Sequence, residues 1–227
     1  MSEHKILYQP WGGLGDNLQY STLPEQFAKQ GYEFYVHESN VYRNFEIHDL
    51  VWKQNPFFKG FSSEKPNCGA MPLKYNNEEF IHNIELSNGA LKSDNPFPKI
   101  YYFPKIKHEF ENKIVLNMHS ITTKYDDDVL LKIMNEFPNS IHLSLNAYPS
   151  KYKNKNVYNV NTIYEHCDII ASCKKYITLY SGGSVLASAI KSQGIKTDVD
   201  VYISNNDWLT YSPNKSYIFD NLKYIIC

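Results

Sequence analysis

No apolar run in this 227-residue chain approaches the roughly 18 consecutive residues that a membrane-spanning helix needs, so no transmembrane segment is expected. Neither sign of charge is in excess. Lys and Arg number 23 against 24 Asp and Glu, a net charge of -1, which disfavours a general nucleic-acid-binding protein and leaves room only for a local basic groove. Cysteine is scarce: Cys68, Cys167, Cys173 and Cys227 make no CxxC pair and no zinc spacing. Cys167 and Cys173 fall six apart in a helical stretch, where their side chains point in different directions. All four are read as reduced thiols, and the compartment as cytoplasmic. The opening MSEHKILYQP puts an acid and a histidine ahead of only a few apolar residues, unlike a secretory signal. There is no internal repeat of the solenoid kind and no low-complexity tract.

What is present is an alternation of strand and helix patterns punctuated by two glycine loops. KILYQP reads as a short buried strand, a helical face runs from Asn17 to Lys29 with Gly31 as its stop, and YEFYVH reads as a second strand. Strand, Gly-rich loop, helix and strand make a βαβ opening, which implies a parallel sheet with a right-handed crossover. Residues 39–76 are broken by Pro56, Gly60, Pro66, Gly69 and Pro72. A helix is expected over NEEFIHNIELS and a strand over PKIYYFP. The polar stretch Pro104–Lys113 reads as a linker, after which the rhythm restarts with IVLNMH, DDVLLKIMNEF, SIHLSLN, NVYNV, TIYEHCDIIASC, KYITLY, SVLASAIKSQ and DVDVYI. The expected fold class is α/β with two Rossmann-like domains, 1–105 and 113–227.

Two loops carry the candidate chemistry. In QPWGGLGDNLQ, Gly13 and Gly15 begin a dinucleotide-type fingerprint, but Leu18 stands where a third glycine belongs. Glu38 supplies the acid at the end of the second strand. Asp16 works against an NAD reading, because a carboxylate at the first helical turn repels a pyrophosphate placed there. Two readings stay open: a loop that holds Asp16 rigidly while its glycines let another molecule approach, or Asp16 as a cap of the following helix. Trp11, just before the glycines, offers a ring for stacking on a sugar or for packing against the loop. In YSGGSVLASAIK, Ser181, Gly182, Gly183 and Ser184 again link a strand to a helix, without any acid. Backbone N–H groups, hydroxyls and the positive helix end suit a diphosphate; a plain capped turn is the other reading. Ligands of open α/β sheets bind outside the carboxyl ends of the strands.

These motifs resemble the heptosyltransferase-like glycosyltransferases of family 9, with the GT-B fold. LGDNLQYSTLPE is similar to that family's first signature, a loop ending Gly-Asp followed by a helix reading x-Leu-x-x-Ser/Thr-Leu-Pro. LNMHSITTKYDDDVLLKIM looks like its second-domain opening, and CDIIASCKKYITLYSGGSVLASAIKSQG follows its last signature in outline. Two positions depart: Tyr180 stands where the family has an aspartate, and Val185 falls near its histidine.

The resemblance implies a two-domain enzyme facing a cleft, with an acceptor-binding N-terminal half and a nucleotide-sugar-binding C-terminal half. It makes Asp16 the general base, taking the proton of an acceptor hydroxyl that enters over Gly13, Gly15, Asn17 and Trp11. It places the donor on Ser120, Thr122, Thr123 and Lys124, and its diphosphate on Ser181, Gly182, Gly183 and Ser184. The expected reaction is inverting and metal-independent, with no cofactor beyond the nucleotide-sugar co-substrate and a glycan or other hydroxyl as acceptor. The run Asp126–Asp128 is read as a helix start rather than a metal site. His119, His82 and Glu38 are each open between ligand contact and a structural role. Alternatives from other classes are a phage-type glycosyltransferase acting on modified DNA bases, a non-catalytic sugar- or nucleotide-binding relative, and an NAD-dependent oxidoreductase.

Overall fold

The computed structural model describes residues 3–72, 78–121, 123–145 and 156–227. Within them the chain divides into two units, Met1–Phe103 with Pro213–Phe219, and Pro104–Ser212 with Asp220–Cys227. After leaving the first unit, the chain thus returns to it once, for seven residues, before finishing in the second.

The first unit begins with β1 (His4–Leu7), α1 (Leu14–Leu18), α2 (Leu23–Lys29) and β2 (Glu33–His37). The single helix expected over Asn17–Lys29 is two pieces. Residues 19–22 interrupt it, and Pro24 then sits in the first turn of α2, where its missing N–H costs nothing. A short helix, α3 (Phe45–His48), continues into a π-helical turn, Asp49–Lys53, before β3 (Phe58–Ser62) and α4 (Phe80–Ser87). β1, β2 and β3 form a parallel sheet in that order, and Cys68 bridges in parallel to Leu7 on the free side of β1. Its core is aromatic: Phe27, Phe34 and Trp52 are fully buried, with ring centroids 6.1 and 6.0 Å apart in sequence along the stack. Burial of side chains this size contributes about 2–3 kcal/mol each.

PKIYYFP is not a strand. Its backbone and side chains are held instead by side-chain bonds to the preceding helical segment: the Lys99 N–H donates to Ser21 Oγ at 2.8 Å and the Tyr101 hydroxyl to Glu25 Oε2 at 2.9 Å. Proline at both ends removes backbone donors, and among the described residues no strand pairs with the stretch, so a strand-like pattern stays irregular.

The second unit contains β4 (Ile114–Asn117), α5 (Asp127–Glu136), β5 (Ile141–Leu145), β6 (Val157–Val160), α6 (Ile163–Ser172), β7 (Lys175–Leu179), α7 (Gly182–Lys191), β8 (Asp198–Ile203), α8 (Asn205–Tyr211) and β9 (Lys223–Ile226). Its six strands are all parallel, in the order β6-β5-β4-β7-β8-β9. The order runs outward one way from β4 and then outward the other way from β7, so the topology reverses between those two strands. α5 lays Leu130, Ile133 and Met134, spaced at helical intervals, onto Leu116, Ile177, Leu179 and Tyr202 of the sheet. The stretch read as a polar linker belongs to this unit: Phe110 is buried, and the N–H groups of Lys105 and Lys107 donate to Asp168 Oδ1 and Ser172 Oγ on α6. This α/β architecture with parallel sheets is the one the sequence pattern leads to.

Candidate functional site

The first candidate loop hangs between β1 and α1 and is tied down from outside. Asn40 Oδ1 accepts from the Gln9 N–H at 2.9 Å, and Gly12 O accepts from the Arg43 N–H at 2.8 Å. A Cβ on Gly12 would lie 2.8 Å from that same Arg43 nitrogen, so only glycine permits the close backbone approach. Gly13 has an ordinary φ of -71°, and its need for glycine is spatial: a Cβ would sit 2.5 Å from Asp16 Oδ2. The room is used by the carboxylate, which folds back so that Oδ2 accepts from the Gly13 N–H at 3.0 Å. The helix-capping reading of Asp16 is therefore met by one oxygen, at the third helical position rather than the cap itself.

The other oxygen, Oδ1, faces the Tyr217 hydroxyl at 3.4 Å, and the side chain as a whole is partly exposed. Asn17 is fully buried; its Nδ2 donates to Gly13 O at 2.9 Å and its Oδ1 accepts from Trp52 Nε1 at 3.1 Å, so it braces the loop from below. Gly13 and Gly15 are buried, whereas Trp11 is 48% exposed and presents an open ring.

Sequence reasoning passed over Tyr217 and Gln19, whose Nε2 donates to Asp16 O at 3.1 Å. It also passed over Arg43, whose guanidinium lies 3.7 Å from where a Gly13 Cβ would be. A signal for Arg43 was available: it is the one arginine in a chain otherwise supplied entirely with lysine.

In the second unit the topological reversal puts two loops side by side. Asn117, the last residue of β4, is in register with Thr178 of β7, so the loops leaving these strands start as neighbours. The first runs through His119, Ser120, Thr123 and Lys124; Ser120 Oγ accepts from the Thr123 N–H at 3.3 Å, and Lys124 is exposed. Thr122 lies outside the described residues. The run Asp126–Asp128 starts α5, with Asp126 at the cap position and the other two acids in the first turn.

The second loop caps α7 with its own hydroxyls: Ser181 Oγ accepts from the Gly183 N–H at 3.2 Å, and Ser184 Oγ from the Ser181 N–H at 3.3 Å. Ser181 and Gly182 are half-exposed, Gly183 and Ser184 buried. Gly183 packs on the end of β4, where a Cβ would come within 2.9 Å of Asn117 Nδ2 and 3.2 Å of Thr178 Oγ1. Asn117 Nδ2 donates to the Tyr176 hydroxyl at 2.9 Å, and that hydroxyl meets His166 Nε2 at 2.9 Å. Asn117 Oδ1 is buried and has no hydrogen-bond partner among the described residues. His166 is fully enclosed; burial first and the nearby His119 second push its pKa down to about 4, so it is neutral, and the Tyr176 hydroxyl is free to donate to it.

Tyr180, at the point of departure from the family pattern, is packed rather than presented: its N–H donates to Tyr202 O at 2.8 Å and its ring lies 5.5 Å from Tyr211. Val185 is buried in α7. His82 bonds to Ser93 O at 3.0 Å on α4, and Glu38 is exposed. None of the four cysteines is paired, and no helix is long and apolar enough to cross a membrane among the described residues.

No protein-family model and no curated protein matches the chain. Solved structures do. A family 9 glycosyl transferase from Veillonella parvula aligns over 99% of this chain and 85% of its own, with a TM-score of 0.63 at 9% identity. TibC from enterotoxigenic E. coli, an iron-containing dodecameric glycosyltransferase, aligns over 89% of this chain with a TM-score of 0.58 at 15% identity. The same heptosyltransferase in complex with ADP-D-β-D-heptose gives a TM-score of 0.56 at 14% identity. This chain spans 58% of the length of TibC. At such identities the likeness establishes a shared fold, that of these glycosyltransferases.

One expectation is corrected by the comparison. The sequence reading required no cofactor and no metal, yet TibC has this fold and contains iron, so the fold does not carry that exclusion. In this chain no group of three or more His, Cys, Asp or Glu gathers as metal ligands would, among the described residues.

Proposed function

We propose that this chain is a glycosyltransferase of the GT-B, family 9 type, moving a sugar from a nucleotide-sugar donor to an acceptor hydroxyl with inversion. The first unit, Met1–Phe103 with Pro213–Phe219, forms the acceptor-binding domain, and the second, Pro104–Ser212 with Asp220–Cys227, the donor-binding domain, in place of the boundaries 1–105 and 113–227 expected from the sequence. The observation that supports this reading is the reversal of strand order between β4 and β7, whose carboxyl ends are register neighbours at Asn117 and Thr178, so that the loops leaving them start side by side. Open parallel sheets take their ligands at such a point. The fold shared with glycosyltransferases, one of them holding ADP-heptose, supports the nucleotide-sugar.

In this reading the donor's diphosphate lies over Ser181 and Gly182, taking up N–H groups of the first turn of α7 in exchange for the long Ser181–Gly183 contact, with Lys124 as its countercharge. The acceptor enters over Trp11 and the glycines. Asp16 Oδ1 removes the hydroxyl proton as the oxygen attacks the anomeric carbon, the bond from that carbon to the diphosphate breaks, and the diphosphate leaves with the electron pair. Oδ2, held by the Gly13 N–H, keeps the carboxylate in one orientation.

A second reading, nucleotide-sugar binding without turnover, is favoured by Tyr180, which fills an aspartate position with a packed ring. One experiment addresses both. Wild type and Asp16→Asn are screened by thermal shift against ADP-, GDP-, UDP- and CMP-sugars, and the stabilising donors are then assayed for diphosphate release with hydroxyl acceptors. Stabilisation of both proteins with turnover only in wild type is expected; a ligand at 100 times its Kd adds about 2.7 kcal/mol. Stabilisation with no turnover in either gives the second reading, and no stabilisation by any donor sinks both.

A further inference from the structure

The seven residues Pro213–Phe219, PNKSYIF, return from the second unit to pack on the first. Two of them, Lys215 and Tyr217, have φ of 51° and 53°. These are the only positive-φ residues other than glycine among the described residues. A bulky side chain in the left-handed region is an outlier that persists only where its surroundings over-determine it. Those surroundings can be named. Lys215 pairs with Glu79, the Tyr217 ring packs on Phe80 at 4.5 Å and 45°, and Ser216, Ile218 and Phe219 are buried.

The result of that conformation is the position of one hydroxyl. Tyr217 Oη lies 2.9 Å from Gln19 Oε1 and 3.4 Å from Asp16 Oδ1. The amide of Gln19 is oriented by its other arm, because Nε2 donates to Asp16 O at 3.1 Å, which leaves Oε1 as the atom facing the phenol. A phenol has a single proton to give. That proton is shared between two acceptors, the nearer amide and the farther carboxylate, so the contact to Asp16 Oδ1 is the longer arm and leaves that oxygen a lone pair for another donor.

We propose that Tyr217, aimed by Gln19 and by the strained returning segment, is a positioning residue for Asp16. The Gly13 N–H fixes one carboxylate oxygen and Tyr217 locates the other, so that Oδ1 meets the acceptor hydroxyl in one orientation with a lone pair still available. This deepens, and rests on, the reading of Asp16 as general base. It assigns the returning segment a part in the transfer chemistry that packing alone would not require.

The test uses Tyr217→Phe, which keeps the ring against Phe80 and removes only the hydroxyl, together with Asp16→Asn and the double variant. Thermal unfolding of the four proteins measures coupling between the two side chains independently of any activity. Non-additive shifts in Tm support the placement, and additive ones overturn it. In steady-state assays, Tyr217→Phe is expected to lower kcat by roughly ten- to a hundredfold with the donor KM unchanged. A Tyr217→Phe enzyme with wild-type kcat overturns the positioning role, whatever the coupling. Wild type that binds donor and never transfers sugar sinks the base reading of Asp16 instead, and the Tm cycle then decides the placement by itself.

Discussion

Trp52 Nε1 donates to Asn17 Oδ1 at 3.1 Å, and both side chains are fully buried. The bond joins the π-helical turn of the first unit to the underside of the Gly-Asp loop, and the other arm of Asn17 holds Gly13 O at 2.9 Å. The orientation of Asp16 is thus set two layers down, in the aromatic core. Trp52→Phe keeps most of the apolar burial and leaves a buried amide oxygen without its donor. A loss of about 1–3 kcal/mol is expected, seen as a lower denaturant midpoint at unchanged m-value. Adding Asn17→Ala should cost less in the Trp52→Phe background than in wild type; equal costs would mean the bond does not carry the coupling.

Gly13→Ala separates presentation of the carboxylate from stability. The new Cβ lands 2.5 Å from Asp16 Oδ2, at the end of a side chain that can rotate away, so the fold tolerates it while the carboxylate loses its place. Transfer activity should fall by at least about tenfold, with donor-induced thermal shifts preserved. Gly12→Ala differs in kind, since its Cβ meets backbone at Arg43; it should lower stability by about 1–3 kcal/mol. Unfolding midpoints of the two variants distinguish these outcomes.

Gly183→Ala tests the donor side. Its Cβ would press on Asn117 Nδ2 and Thr178 Oγ1, pushing the first turn of α7 away from the end of β4. The Kd for a stabilising nucleotide diphosphate should rise at least about tenfold, because the N–H groups that receive the phosphates move with the turn. Unchanged affinity by calorimetry would place the diphosphate elsewhere.

His166 gives a pH signature. Its pKa is pushed from an ordinary 6.5 down to about 4, so the unfolded chain binds more protons than the folded one between those values. Stability therefore rises with pH across that window and is lost as pH falls through it, by on the order of 3 kcal/mol at full extent. Glu165, held down to about 2 by N–H, Lys107 and Tyr158 contacts that outweigh its burial, adds a loss of the same sign below its ordinary 4.5. Glu85, buried and pushed up, acts in the opposite sense above 4.5. Comparison with His166→Gln, which keeps an acceptor for Tyr176 and removes the titration, isolates the term. The variant's unfolding midpoints should vary less steeply between pH 6.5 and 4.5, and equal slopes would show that His166 is not the group responsible.

The two loops were legible because glycine, proline and the change of hydrophobic period are local signals, and a loop between a strand and a helix needs nothing from elsewhere in the chain. Asp16 stood out for the same reason. Tyr217 did not, because 201 residues separate it from Asp16 and its conformation is one that its own sequence disfavours. The PKIYYFP stretch misled in the opposite direction: its composition suits a strand, but a strand exists only where another backbone pairs with it.

By itself, then, the sequence determined the α/β rhythm, the two glycine loops and the presence of a carboxylate in one of them and not in the other. Each follows from residue chemistry within a dozen positions. Tertiary structure decided which loops are neighbours and where the chain after α8 goes. The order β6-β5-β4-β7-β8-β9 makes Asn117 a register partner of Thr178 across 61 positions, and the return of Pro213–Phe219 puts a tyrosine hydroxyl beside a carboxylate near the other end of the chain. Strand order and chain return are settled by which apolar faces bury against each other, and that is a property of the whole fold that no local pattern encodes.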